Sequence, residues 1–159
     1  MSGHGAPGPA PDTIDGSGVR VAVVAGSWHE DISNGLIDGA KRFLDGCGAS
    51  WELIRVPGSF ELPVVAKKAL ESGFDAVVAL GVIIRGGTPH FEYVAHAATQ
   101  GLTDVALATG KPVGFGVLTL DTEEQGIDRA GFPHSSEDKG AEAADAAVRT
   151  ALITSAIGQ

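Results

Sequence analysis

A long apolar run that ends at two glycines constrains the fold of this chain more than any other feature. Residues Ala76–Ile84 are apolar throughout, which is typical of a β-strand covered on both faces. Gly86 and Gly87 break the run, and a helix pattern begins just after Pro89. A buried strand followed at once by a helix is the repeating unit of α/β folds with a parallel sheet.

The same strand-then-helix order recurs along the rest of the chain. The predicted strands are Val19–Ala25, Trp51–Val56, Ala76–Ile84 and Val113–Thr119. Helical spacing of apolar residues predicts helices through Ile32, Leu36, Ala40, Phe43 and Leu44, and over Phe60–Ser72, His90–Ala108, Glu123–Ala130 and Asp138–Ile157. This alternation predicts a flavodoxin-like α/β fold, a three-layer α/β/α sandwich with a four-stranded parallel sheet.

Length and composition narrow the possible classes of protein. The 159 residues suit one domain, which we expect over residues 19–159, and the Gly-, Pro- and Ala-rich residues 1–18 predict a disordered N-terminal tail. Eleven basic and 20 acidic residues give a net charge of −9, which argues against nucleic acid or membrane as a partner. The absence of a signal-peptide pattern and the single Cys47 predict a cytoplasmic protein. No Cys/His cluster has zinc-ligand spacing, so the sequence gives no sign of a zinc site.

Distinctive residues follow the carboxyl end of each predicted strand. The four clusters are Gly26–His29, Pro57–Glu61, Gly86–His90 and Thr119–Glu124. The carboxyl ends of parallel strands meet at one edge of a sheet, and ligands of open α/β sheets bind at that edge. The sequence therefore predicts a ligand pocket there.

Two of these clusters allow both a structural and a functional interpretation. Trp28 either caps the core or offers a stacking surface to a planar ligand. In the segment Ser59–Glu61 the serine and the glutamate either cap a helix or hold a polyhydroxylated ligand. The residue pattern alone leaves both alternatives open.

The same alternatives apply to the glycine turn and to two late cations. Gly87, Thr88 and His90 form either an ordinary strand–helix turn or a phosphate site with a proton-transfer imidazole. Arg129 and Lys139 are either solvated surface charges or partners of an anion. By pattern alone, Phe115 is a core residue.

Six segments spread along the chain read VVAGSWH, VPGSFELP, ALGVIIRGGTPHFEYV, FGVLTLDTEEQ, DRAG and EDKG. Together, and in this order, they resemble the lumazine synthase family, which makes 6,7-dimethyl-8-ribityllumazine in the penultimate step of riboflavin biosynthesis. The resemblance implies a transferase that condenses 5-amino-6-(D-ribitylamino)uracil with 3,4-dihydroxy-2-butanone 4-phosphate, without a metal or redox cofactor.

The resemblance also implies roles for particular residues. Residues that match those binding the pyrimidine, its ribityl chain and the heterocycle are Trp28, Ser59, Phe60, Glu61, Val82, Ile83 and Ile84. Gly87 and Thr88 match the phosphate turn, Arg129 matches its cationic partner, and His90 matches the proton-transfer residue.

The resemblance further implies a homo-oligomer with sites between subunits. Phe115 and Lys139 match residues that a neighbouring subunit contributes. Members of the family form pentamers, and some build icosahedral shells from pentamers. The loop Gly131–Lys139 is longer here than in shell-forming members and contains Pro133, which favours an isolated pentamer.

Other functions are alternatives to an active enzyme at this stage: a flavin- or lumazine-binding protein without turnover, a structural shell protein, and a flavodoxin-like electron carrier. The presence of His90, Arg129 and Lys139 favours the enzyme, because a binding protein has no need of all three. The first strand also lacks the Ser/Thr-rich phosphate loop that such carriers use for FMN.

Overall fold

The computed structural model describes residues 5–159 and contains four strands and five α-helices. The strands are β1 (Arg20–Gly26), β2 (Ser50–Val56), β3 (Ala76–Ile84) and β4 (Val113–Leu120). The helices are α1 (Glu30–Cys47), α2 (Leu62–Glu71), α3 (His90–Thr109), α4 (Glu123–Ile127) and α5 (Lys139–Ala156). Single 3-10 turns cover Pro11–Thr13 and Ser59–Glu61.

The sheet confirms the predicted fold class. Its four strands are all parallel and lie in the order β2-β1-β3-β4. Alternate residues of β1 and β3 enter two separate cores, one beneath α1 and α5 and the other beneath α2 and α3. Because both faces are covered, β3 is apolar throughout and β1 is apolar after Arg20, as the sequence pattern predicts.

The strands end at different heights along the sheet. Ala25 of β1 pairs with Leu80 of β3, and β1 ends one residue later, whereas β3 continues to Ile84. The last residues of β3 therefore rise beyond β1 by about 10 Å, at roughly 3.3 Å per residue. They form a wall beside the shorter strands β1 and β2, and this step leaves room for a cavity.

The helix that follows β4 is shorter than predicted. The pattern suggests a helix to Ala130, but α4 ends at Ile127. Beyond it the backbone pairs with the segment that enters α5, because Glu137 N donates to Asp128 O (3.1 Å) and Lys139 N donates to Arg129 O (2.9 Å). This pairing across the loop competes with the helical hydrogen bonds and ends the helix.

The N-terminal segment contacts two helices. Arg149 of α5 donates from Nη2 to Thr13 Oγ1 (2.7 Å), and Gly16 N donates to Cys47 O at the end of α1 (2.7 Å). Residues 1–4 of the predicted disordered tail lie outside the described residues. The division into a tail (1–18) and one domain (19–159) stays a prediction.

The helices α1 and α5 approach each other closely at a glycine. A Cβ at Gly140 would lie 2.0 Å from Leu36 O, a backbone atom in the middle of α1. A real Cβ cannot occupy that position unless one helix moves. Gly140 therefore sets the distance between α1 and α5, and with it the position of Lys139 at the start of α5.

We expect Gly140→Ala to lower the free energy of unfolding by about 1–3 kcal/mol, the usual penalty of overpacking a rigid contact. Urea unfolding followed by circular dichroism measures the change. Gly8→Ala is the matched control, because a Cβ there meets open space. Equal stability of the two variants would contradict the close helix approach.

Candidate active site

A cavity of about 630 Å³ opens at the carboxyl edge of the sheet, above β1 and β2 and beside the wall of β3. Its volume lies in the range typical of small-molecule sites. Predicted site residues from three separate motifs line it: Trp28, Ser59, Phe60, Glu61, Val82, Ile83, Ile84, Thr88 and His90. Gly87 lies between the lining residues Gly86 and Thr88.

The first two motifs meet at Gly58. A Cβ at this position would lie 3.2 Å from both Cδ1 and Nε1 of Trp28 and 3.4 Å from Glu61 Oε2. The missing side chain therefore lets the indole and the carboxylate come together over the backbone. Trp28 stays 68% exposed, so its ring presents a free surface to the cavity instead of capping the core.

The second and third motifs meet at Gly81. A Cβ on Gly81 would lie 2.4 Å from Ser59 Oγ, so the absence of one lets the 3-10 turn Ser59–Glu61 rest directly on β3. Beyond Gly81, the residues Val82–Ile84 give the cavity an apolar wall. The result is a cavity with an apolar side, an aromatic surface and one carboxylate.

The glycine turn is held at both ends and open in the middle. Arg85 donates from Nε to Asp121 Oδ1 (3.0 Å), and its guanidinium lies 4.4 Å from the ring centroid of Phe91 in α3. A Cβ at Gly86 or Gly87 would meet no atom within 4 Å. The backbone of the turn is therefore accessible next to Thr88 and His90, both of which are exposed.

Arg129 and Lys139 lie together but do not line this cavity. Arg129 Nε is 3.5 Å from Glu137 Oε2, and Lys139 Nζ is 3.6 Å from Glu137 Oε1. Lys139 also pairs with Glu142 (3.3 Å). Among the described residues, the cavity has neither a lysine nor an arginine in its lining.

Phe115 also lies away from the cavity. It is on β4, an edge strand, and is 47% exposed, so the prediction of a core residue from pattern alone is wrong. Its neighbour Val117 on the same face of the strand is buried beneath α3, but the helix does not cover Phe115.

The segment that carries the two cations is fixed by Asp128. Ser136 donates to its carboxylate from Oγ (2.6 Å) and from the backbone N–H (3.0 Å). These bonds, the side-chain bond foremost, hold the pKa of Asp128 below its ordinary value. They close the loop between α4 and α5 and so bring Arg129 next to Lys139.

The cavity has further lining residues to which the sequence analysis assigned no role. These are His29, Gly58, Gly86, Phe91, Tyr93 and Val94. Helical spacing could have identified two of them, because Tyr93 and Val94 lie three and four residues after His90 and share its face of α3.

The described part of the chain holds no group of three His, Cys, Asp or Glu side chains suited to a metal, and no helix there is long and apolar enough to span a membrane.

These features define an enzyme-like α/β protein with a small-molecule cavity at the carboxyl edge of its sheet, and comparison with known proteins specifies it further. The sequence model of the 6,7-dimethyl-8-ribityllumazine synthase family matches residues 18–155. A protein of that name from Leifsonia xyli subsp. xyli is 71% identical over 157 residues, which cover 99% of each chain. Those from Clavibacter michiganensis subsp. michiganensis (99% of this chain, 98% of the relative) and Streptomyces coelicolor (100% and 98%) are 69% and 56% identical.

The chain belongs to the 6,7-dimethyl-8-ribityllumazine synthase family. Membership confirms the resemblance that the six sequence segments indicate, and it places the chain among the transferase enzymes.

Proposed function

We propose that this chain condenses 5-amino-6-(D-ribitylamino)uracil with 3,4-dihydroxy-2-butanone 4-phosphate to 6,7-dimethyl-8-ribityllumazine. One observation carries the proposal: the motifs that mark the family come from distant parts of the sequence, and three of them line one cavity of suitable size. The reaction joins two small polar molecules, so the site has to orient them, and such orientation supplies roughly 7–11 kcal/mol in favourable cases.

The cavity offers a surface for each part of the pyrimidine substrate. Trp28 stacks on the ring, and the wall Val82–Ile84 contacts its opposite side. Glu61 accepts hydrogen bonds from the ribityl hydroxyls, aided by the turn that begins at Ser59. For the reaction, the 5-amino group has to face the glycine turn, where the second substrate binds.

The glycine turn binds the phosphate of the second substrate. The accessible backbone at Gly86 and Gly87, the hydroxyl of Thr88 and the start of the 20-residue helix α3 provide N–H and O–H donors for an anion. The 5-amino group attacks the ketone carbon, and loss of water gives an imine. Removal of a proton from the neighbouring carbon expels phosphate and leaves an enol, which tautomerises to a carbonyl. The ribityl-bearing nitrogen attacks this carbonyl, and loss of a second water closes the ring. His90, at the first position of α3, moves protons in these steps.

The site takes its cationic part from a neighbouring copy of the chain. Lys139 and Arg129 share Glu137, so a subunit that presents one of these cations presents the other as well. Large apolar side chains also remain exposed on and beside α2, α3 and β4, as expected of a surface that other copies cover: Phe60, Val64, Tyr93, Leu107 and Phe115. These features support a homo-oligomer; the family resemblance supports a pentamer, and the sequence pattern supports a cytoplasmic location.

We expect wild-type protein to accelerate lumazine formation, followed by its absorbance, well above the slow uncatalysed condensation. His90→Ala should slow turnover by about 10²–10⁴-fold without abolishing it, because orientation by the rest of the cavity persists.

Arg129→Ala should chiefly raise KM for the butanone phosphate, because a cationic partner of the phosphate is lost.

Arg20→Ala is the control for the arginine variant, because Arg20 is half exposed at the start of β1, at the opposite end of the sheet from the cavity. An unchanged KM in Arg129→Ala would contradict its assignment. Tight binding of the product without any rate acceleration would favour a binding protein over an enzyme.

Light scattering of the purified protein tests the assembly. We expect the mass of five chains, because the loop Gly131–Lys139 is longer and stiffer than in shell-forming relatives. A particle of about sixty chains would contradict the isolated pentamer.

A further inference from the structure

We propose that Arg55 is a positioning residue for Trp28, an inference that rests on the proposed function and assigns a role outside the family motifs. Arg55 lies on the edge strand β2 and does not line the cavity. Its guanidinium donates from Nη1 to Gly26 O (3.0 Å) and to Ser33 Oγ (2.9 Å), and from Nη2 to Asn34 Oδ1 (2.8 Å). One side chain thus links β2, the end of β1 and the first turn of α1.

The acceptors of Arg55 indicate a positioning role. All three are neutral oxygens, and among the described residues no carboxylate lies within ion-pair distance of this guanidinium. Ser33 is buried and donates from Oγ to the same Gly26 carbonyl (2.9 Å). The carbonyl of Gly26 therefore accepts two side-chain donors, and one of these donors is itself fixed by Arg55.

This carbonyl lies two residues before Trp28, in a short loop that is held on both sides. Ser27 donates from Oγ to Val56 O (2.8 Å), and His29 has a positive φ of 54°, the only such residue other than glycine in the described chain. The chain thus turns sharply directly after Trp28. Hydrogen bonds at Gly26 and Ser27 fix the path of the backbone into this turn.

Trp28 depends on that backbone for its orientation. Its side chain is 68% exposed, so few packing contacts hold the indole over Gly58. Loss of the bonds from Arg55 frees the Gly26 carbonyl and widens the range of positions of the indole. Because the indole is the stacking surface of the cavity, binding of the pyrimidine weakens while the later chemical steps are unaffected.

Fluorescence of Trp28 tests this directly, without any enzyme assay. Trp51 is the only other tryptophan, so Trp51→Phe leaves Trp28 as the single reporter. In this background Arg55→Met keeps the apolar stem and removes every side-chain donor, and Arg55→Lys returns a single cationic group without the forked geometry of the guanidinium. We expect the fast component of the anisotropy decay to grow in the Met variant and to recover in part in the Lys variant.

Arg20→Met is the matched control, because Arg20 is half exposed at the opposite end of the sheet, beside Glu52 and Phe74. In Arg20→Met, made in the same background, the fast component of the anisotropy decay should equal that of Trp51→Phe alone. A fast component in Arg55→Met no larger than in this control would overturn the inference.

Kinetics show whether Arg55 acts through Trp28. We expect Arg55→Met to raise KM for the pyrimidine about tenfold and to leave kcat unchanged. A tenfold change corresponds to the lower end of the free energy that is lost with hydrogen bonds to a charged donor. In a Trp28→Ala background the same substitution should raise KM no further. An additive effect in both backgrounds, or an unchanged KM, would overturn the inference. If wild-type protein shows no synthase activity, the proposed function fails, and the anisotropy result still decides the role of Arg55.

Discussion

The parallel pairing of β1 with β3 is the constraint on which the rest of the structure depends. Its register, with Ala25 opposite Leu80, brings the ends of β1 and β2 to one level and carries the end of β3 beyond them. The step becomes the cavity, and the residues past Gly81 become its wall. A shift of one residue would turn the alternating side chains of β1 toward the wrong core, so both buried faces fix the register.

The two parts of the proposed site differ in their electrostatics. The cavity of one chain presents an aromatic ring, an apolar wall and a carboxylate, whereas the cations Arg129 and Lys139 are grouped around Glu137 on a separate segment. Since the chain as a whole is strongly acidic, a local group of cations is needed to attract a phosphate ester. The proposed oligomer supplies this group from a second copy, which makes assembly a condition for activity.

Local patterns in the sequence predict the elements but only part of the site. The two central strands were predictable because β1 and β3 are buried on both faces. Most of the cavity was predictable because its residues follow strand ends. The early end of α4 and the exposure of Phe115 depend on pairing and coverage between distant segments. The same holds for Arg55, which is 29 residues from the Gly26 carbonyl that it contacts, so no local motif marks it.

Complementation between two impaired variants tests the shared site most directly. His90→Ala lacks a residue of the cavity, and Arg129→Ala lacks one of the cationic segment. If these parts come from different subunits, the two variants should complement each other when they are unfolded and reassembled together in equal amounts. Random assortment then combines an intact cavity with an intact cationic segment at about a quarter of all sites. Lumazine formation should then recover to a similar fraction of the wild-type rate. A mixture no more active than its separate components would show that both residues act from one chain, and it would contradict the account.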